Sequence, residues 1–326
     1  MENQIPFNNR LNVDELNHIA FQIRNEINKV IVGQDKILDL LMTALLANGH
    51  VLIEGVPGVA KTMIAKLLAK TISTGFSRIQ FTPDLMPSDV LGTSIFNAGT
   101  SKFEFNAGPI FSNLILIDEV NRAPSKTQAA LFEVMEERQV TIDGTTHAMK
   151  PPFIVLATQN PVEHEGTYRL PEAQLDRFMF KLNIGYPTLD QEIKILSDAQ
   201  QREAQNPIDM VNPAVKAEDI IKFQQLVTQV MVEEHLLSYI AQIVEKTRKI
   251  NSLFLGGSPR ASLSILSASK AFAALEGRDF VTPEDIKEVI SPVLCHRILL
   301  TPEKEMEGLK PETIIRSIVD SVEIPR

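Results

Sequence analysis

The stretch Gly55-Val56-Pro57-Gly58-Val59-Ala60-Lys61-Thr62 constrains this chain more than any other. An apolar run, His50 to Glu54, leads into it, and Met63-Ile64-Ala65-Lys66-Leu67-Leu68 continues from it as a helical pattern. A strand that turns through glycines into a helix is the setting of a phosphate-binding loop. The first backbone N–H groups of the helix have no intrahelical acceptor, so they can hold an anion. In that reading Lys61 brings a point charge to the β/γ phosphates, and the Thr62 hydroxyl is a hard oxygen ligand for Mg²⁺. The generic loop carries glycine where Ala60 stands, a one-position departure. The plain alternative is a strand-to-helix turn with a surface lysine.

A chain of 326 residues has length for about two domains. Its 44% hydrophobic content is enough for a sizeable core and excludes a disordered chain. The net charge of −9, from 32 Lys+Arg against 41 Asp+Glu, argues against broad adhesion to nucleic acid or anionic membrane, though a local basic patch is allowed. A lone cysteine, Cys295, rules out an internal disulfide and fits a reducing compartment. Met1 to Arg10 lacks the apolar segment of a signal peptide, and no run approaches the roughly 18 apolar residues of a membrane span. The expectation is a cytoplasmic protein with no membrane insertion.

Periodicity predicts a helix over 13–30 and another from Gln34, separated by Val32-Gly33. After the loop and its helix, strands are expected at 78–82, 113–117, 153–157 and 178–182, with a helix over 125–138 between them. Alternating strands and helices argue for a parallel α/β sheet. Two hairpins interrupt the rhythm: one pairs 93–96 with 102–105, and the other turns at Asp143-Gly144. They either decorate a sheet edge or project to touch a partner. Beyond Pro187 the pattern is helical, with helices expected at about 217–231, 233–250, 261–276, 283–290 and 292–299. The Thr282-Pro283-Glu284-Asp285 segment is a clear helix start.

Leu114-Ile115-Leu116-Ile117-Asp118-Glu119 places two carboxylates at the end of a buried strand, where ligands of parallel sheets sit. Asp118 is placed to reach Mg²⁺ held by Thr62, directly or through water, and Glu119 to polarise a water for attack on the γ-phosphate. A third strand ends in Thr158-Gln159-Asn160-Pro161, where Asn160 or Thr158 is a candidate to orient that water. Asn-Pro is also an ordinary turn signal. If Ser258 caps a helix opened by Pro259, then Arg260 is a cation in the first turn, where the dipole disfavours it by about 0.3–1 kcal/mol. A nearby phosphate would offset that cost; otherwise Arg260 is a surface side chain lying over the core. Arg177 either pairs with Asp176 or Glu172 within the chain or reaches a neighbouring subunit's nucleotide, and spacing does not decide between them.

Together these segments resemble the AAA+ ATPases, and within them the MoxR family. The residues that carry the resemblance are 55–62, Thr82-Pro83-Asp84-Leu85-Met86-Pro87-Ser88-Asp89, Asp118-Glu119-Val120-Asn121-Arg122-Ala123, 157–161, 170–178 and Gly257-Ser258-Pro259-Arg260, in family order over roughly residues 30 to 300. In that family Ala60 is the usual residue.

The resemblance implies a P-loop NTPase core with a five-stranded parallel sheet, over 31–200, after an N-terminal helical segment (1–30). A linker (201–216) and a helical lid (217–326) would follow. It implies ATP/ADP and Mg²⁺ as ligands, with the nucleotide held by Val32 and Gly33 beside the adenine and by Gly55, Val56, Pro57, Gly58, Val59, Ala60, Lys61, Thr62 and Met63. Lys61 and Thr62 would be the Walker A pair, and Asp118 and Glu119 the Walker B pair. Asn160 would be sensor 1, Arg260 sensor 2, and Arg177 an arginine finger acting in trans in a ring, usually a hexamer. The hairpins at about 93–105 and 139–148 would be the inserts that face a pore or substrate. Chaperone-like maturation of client proteins, often with von Willebrand factor A domains, is the implied role. Two rival readings are a nucleic-acid motor or loader, disfavoured by the charge, and a nucleotide-gated scaffold, disfavoured by an intact Glu119 and Arg177. A GTPase would need an Asn-Lys-x-Asp segment, which the sequence lacks.

Overall fold

A computed structural model describes residues 11–160, 170–202 and 205–324. Expectations for Met1–Arg10, Pro161, residues 203–204 of the linker and the last two residues of the lid lie outside them. The chain divides into two compact units, Ile23–Ile221 and a second made of Lys222–Arg326 with the N-terminal stretch up to Gln22.

The first unit runs from α1 (Asp14–Asn28), which crosses the division, through α2 (Asp35–Leu46), β1 (His50–Gly55), α3 (Lys61–Thr71), β2 (Phe76–Gln80) and α4 (Pro87–Leu91). The first hairpin, β3 (Gly92–Asn97) and β4 (Lys102–Ala107), comes next, then β5 (Leu114–Asp118) and α5 (Ser125–Glu137). The second hairpin, β6 (Gln139–Ile142) and β7 (Thr145–Ala148), precedes β8 (Ile154–Gln159), α6 (Glu172–Leu175), β9 (Phe178–Ile184) and α7 (Leu189–Arg202). Strands β2, β5, β8, β1 and β9 form one parallel sheet in that order. The α/β core with a five-stranded parallel sheet is therefore as expected.

Central strand β5 reads Leu-Ile-Leu-Ile before its acid because both faces are covered, and all four apolar residues are inaccessible to solvent. Each such side chain contributes roughly 1.5–3 kcal/mol on burial, which outweighs the ~1–2 kcal/mol cost of the left-handed backbone at Glu119 just beyond it. The parallel register aligns Ile53 with Thr158, Ile117 with Ala157 and Gln80 with Asp118, so the strand ends converge on one edge.

Strand β2 begins two residues earlier than the apolar pattern suggests, since Phe76 and Ser77 already pair with Leu114 and Ile115. At the opposite end of β1, His50 is buried against the Phe153 ring. Its Nδ1 accepts from the Val155 N–H at 3.0 Å, so Nε2 carries the proton and donates to the Met135 carbonyl at 3.0 Å. Burial, with the Arg138 cation as a second cause, pulls its pKa down to about 3.

Both hairpins form. Asp143 and Gly144 take φ of 50° and 78°, the left-handed pair a type I′ turn demands. In the first hairpin Asn97 pairs with Lys102, and the Asn97 side chain accepts from the Gly99 N–H at 2.9 Å. The Phe105 and His147 rings stack at 4.2 Å and join the two hairpins. Within the polar stretch after α7, the Ala214 and Val215 N–H groups both donate to the Thr71 carbonyl, and Lys70 Nζ donates to the Ile208 carbonyl at 2.8 Å.

The second unit is helical: α8 (Ala217–Thr228, which enters from the first unit), α9 (Glu234–Lys249), the short strand β10 (Leu253–Leu255), α10 (Pro259–Leu275), α11 (Pro283–Leu294), its partner strand β11 (Leu299–Leu300), α12 (Pro302–Met306) and α13 (Pro311–Asp320). A Cβ on Gly256 would lie 2.7 Å from the Thr247 carbonyl, so only glycine lets the chain double back onto α9. The predicted break after residue 290 is absent: Pro292 lies inside α11, and residues 299–300 form β11 in place of helix. Pro292 sits in the last turn of α11, where a missing N–H removes one hydrogen bond and leaves little helix to disrupt. The expected start of α11 is present, with the Thr282 N–H donating to Asp285 at 2.7 Å and Arg278 forking onto the same buried carboxylate at 2.5 and 2.6 Å.

Candidate nucleotide site

Gly55 ends β1 and must be glycine, because a Cβ there would lie 2.7 Å from the Ile184 carbonyl of β9. The loop then rises through Gly58, at φ +87° with open space where a side chain would stand. Ala60 follows as the N-cap of α3 with φ 62°. This is the left-handed conformation that explains glycine in the generic loop; alanine holds it at a cost of ~1–2 kcal/mol. No side chain caps α3 and its first turn contains no acid, which suits an anion there. Lys61 Nζ reaches back to donate to the Gly55 carbonyl at 2.5 Å, so the ammonium already lies over the loop.

Beside the loop lies a cavity of about 350 Å³, lined by Ile31, Val32, Val59, Ala60, Tyr186 and Ile195, with Gln34 and Gln191 among its polar residues. Its size is within the range of small-ligand pockets, and its apolar walls suit a planar base. Gln34 Nε2 donates to the Val59 carbonyl at 3.3 Å and ties the Val32-Gly33 segment to the phosphate loop. The residues present thus fit a nucleotide whose base enters the cavity and whose phosphates meet the start of α3.

The two carboxylates stand at the same edge. Asp118 is 7% exposed; its Oδ1 accepts from Thr158 Oγ1 at 3.2 Å and its Oδ2 from Arg78 Nε at 2.5 Å. Glu119 has φ 59°, and its N–H donates to Thr158 Oγ1 at 3.1 Å, so one hydroxyl links both acids. Glu119 Oε2 accepts from Gln80 Nε2 at 2.8 Å and pairs with Arg122 Nε at 3.2 Å. Left-handed backbone on a residue other than glycine collects at functional sites. Asn160 is buried just past β8. A carboxylate and a hydroxyl are hard oxygen donors of the kind Mg²⁺ takes, and Asp118 and Thr62 are the residues that would hold it.

The loop, Asp118, Glu119, Thr158 and Asn160 are thus on one edge, and Val32 and Gly33 line the adjoining cavity. Arg177 is elsewhere. It precedes β9, whose far end adjoins Gly55, and seven strand residues span about 20 Å. Its in-chain acid is Glu136 of α5, at 3.0 Å, in place of the sequence neighbours Asp176 and Glu172; it also donates to the Phe132 carbonyl. Arg260 lies in the first turn of α10, exposed, behind Ser258 as N-cap and Pro259. Sequence reading missed Arg78, Gln80 and the cavity wall from Tyr186 to Ile195. The signal for the first two was present: Arg78 and Gln80 alternate along a strand that pairs in parallel with β5, which sets them beside its terminal acids.

Comparison with known proteins agrees with this geometry. Residues 50–180 match the model of the ATPase family associated with various cellular activities (AAA), and residues 245–318 match the AAA lid domain. The chain is 49% identical to the uncharacterized protein YeaC of Bacillus subtilis, covering 96% of this chain and 97% of that one. It is 43% identical to the chaperone MoxR1 of Mycobacterium tuberculosis, covering 92% and 81% respectively. A crystal structure of a protein described as a putative ATPase from Cytophaga hutchinsonii superposes with a TM-score of 0.86 at 42% identity, covering 96% of this chain and 99% of that one. With sheet, loop, strand-end acids and these relatives in agreement, the chain belongs to the MoxR family of AAA+ ATPases.

Proposed function

We infer that the protein hydrolyses ATP with Mg²⁺ and uses the cycle to remodel or mature partner proteins. The observation that carries the hydrolytic part is the convergence of the phosphate loop, Asp118, Glu119 and Asn160 on one sheet edge. ATP places its base in the cavity beside Val32 and Gly33 and its phosphates against the backbone of residues 55–63. Lys61 exchanges the Gly55 carbonyl for phosphate oxygens, a short swing for a side chain already over the loop. Thr62 and Asp118 would hold the metal, which would supply positive charge to the phosphates. Glu119 takes the proton of the attacking water, and Asn160 or Thr158 orients that water. Arg260, in the first turn of α10, is the candidate for sensor 2.

Arg177 serves a nucleotide other than its own, since about 20 Å of strand separates it from the loop of its own chain. The working form is then a ring, with a hexamer as the expected size. Client proteins are the substrates of the remodelling, with von Willebrand factor A domains the leading class. The chaperone name of the Mycobacterium tuberculosis relative supports that reading. No helix among the described residues is long and apolar enough to cross a membrane.

The test is ATP turnover by wild type, Lys61→Ala and Glu119→Gln, alongside nucleotide binding. Lys61→Ala should lose both. Glu119→Gln should bind ATP and turn it over at least a hundredfold more slowly, since general-base groups contribute roughly 10²–10⁴. Turnover that survives both substitutions removes the hydrolytic assignment.

A further inference from the structure

We propose that Arg78 is a built-in competitor for the divalent cation at Asp118. Both oxygens of the Asp118 carboxylate are engaged, but by partners of different kinds. Oδ1 meets the neutral Thr158 hydroxyl at 3.2 Å, which is itself fixed by the Glu119 N–H at 3.1 Å. Oδ2 meets the Arg78 guanidinium at 2.5 Å. A hydroxyl beside a carboxylate tolerates an incoming dication; a guanidinium on the same oxygen repels it. Metal entry at Asp118 therefore requires Arg78 to leave.

The surroundings make that exchange feasible. The Arg78 side chain is 48% exposed whereas that of Asp118 is 10% exposed, so the cation swings into water with little desolvation cost and the acid stays fixed. Arg78 stands on β2, the edge strand of the sheet, where no further strand confines it. A charge-assisted contact this short is stronger than a neutral hydrogen bond, yet half-exposure keeps the pair within reach of a competing ion. Arg78 thus sets how much metal the site needs: it keeps Asp118 neutralised until a metal–nucleotide complex arrives, and it discourages metal alone.

The proposal rests on Asp118 being a metal ligand, and the experiment separates the two. Mn²⁺ is titrated into protein saturated with a non-hydrolysable ATP analogue, and free Mn²⁺ is followed by electron paramagnetic resonance. Wild type is compared with Arg78→Met, Arg78→Gln, Arg78→Lys and Asp118→Asn, each first checked for native circular dichroism. Arg78→Met and Arg78→Gln should bind Mn²⁺ roughly two- to fivefold more tightly than wild type, the scale of one half-exposed ion pair. Arg78→Lys, which keeps the cation, should stay nearer wild type. The gap should narrow at high salt, because screening weakens the competing pair. Equal or weaker Mn²⁺ binding by both neutral variants, with Asp118→Asn impaired, overturns the competitor role and leaves the metal site standing. If Asp118→Asn binds Mn²⁺ as wild type does, the metal assignment falls and the competitor role falls with it.

Discussion

His50 offers the most quantitative prediction, and it tests the core under the site. In the fold the imidazole is neutral: Nδ1 faces an N–H donor and has no place for a proton, and burial holds the pKa near 3. In the unfolded chain the same group titrates at about 6.5. A histidine whose folded pKa is depressed binds fewer protons folded than unfolded, so its contribution is full above pH ~6.5 and is lost as the pH falls toward 3. Linkage between pH 7 and pH 5 gives a loss of about 2 kcal/mol, and shifting the folded value by a unit barely changes this, because the unfolded pKa sets the onset.

Carboxylates titrate in the same window, so the measurement is a difference. His50→Gln keeps an acceptor for Val155 and a donor for Met135 but cannot be protonated. Urea unfolding of both proteins at pH 7, 6 and 5 should show wild type losing about 2 kcal/mol more than the variant. Circular dichroism is the suitable signal, since the chain has no tryptophan. Curves that run parallel to within about 0.5 kcal/mol would refute a neutral, Nε2-protonated His50.

Two further substitutions probe local geometry. Ala60→Gly relieves left-handed strain and loosens the unfolded chain, so stability should rise by about 0–1 kcal/mol in thermal or urea melts with nucleotide affinity unchanged. A loss above about 1 kcal/mol would mean the backbone at Ala60 is not strained. Asp285→Ala leaves the Arg278 cation and the Thr282 N–H without their shared acceptor, and should cost about 3 kcal/mol, discounted because Arg278 is partly exposed. Urea unfolding of the full chain detects it, and a change under about 1 kcal/mol would show that water replaces the carboxylate.

Features encoded over a few consecutive residues could be read from the sequence. Leu114 to Ile117 announces a central strand because nothing polar interrupts it, and Asp143-Gly144 announces its turn because both residues tolerate positive φ. Thr282 to Asp285 announces a helix start for the same local reason. Features that depend on pairing across the chain were not legible. Arg78 lies 40 residues from Asp118, and only the β2–β5 register brings them together. Glu136 meets Arg177 only once α5 packs near the start of β9. The cavity wall at Tyr186 and Ile195 depends on where β9 ends, which lies two residues beyond the apolar run. Pro292 misled because a proline near a helix end breaks little.

Strand β9 joins two places that chemistry treats as separate. Arg177 precedes its first residue, and the carbonyl of its last, Ile184, presses where Gly55 has no side chain. Between them β9 pairs in parallel with β1, continuously from Phe180 to Ile184, after a one-residue bulge at Met179. The bulge lies two residues from Arg177, so the run from Phe180 to the floor of the phosphate loop keeps its register while the strand start beside Arg177 has an extra residue to adjust.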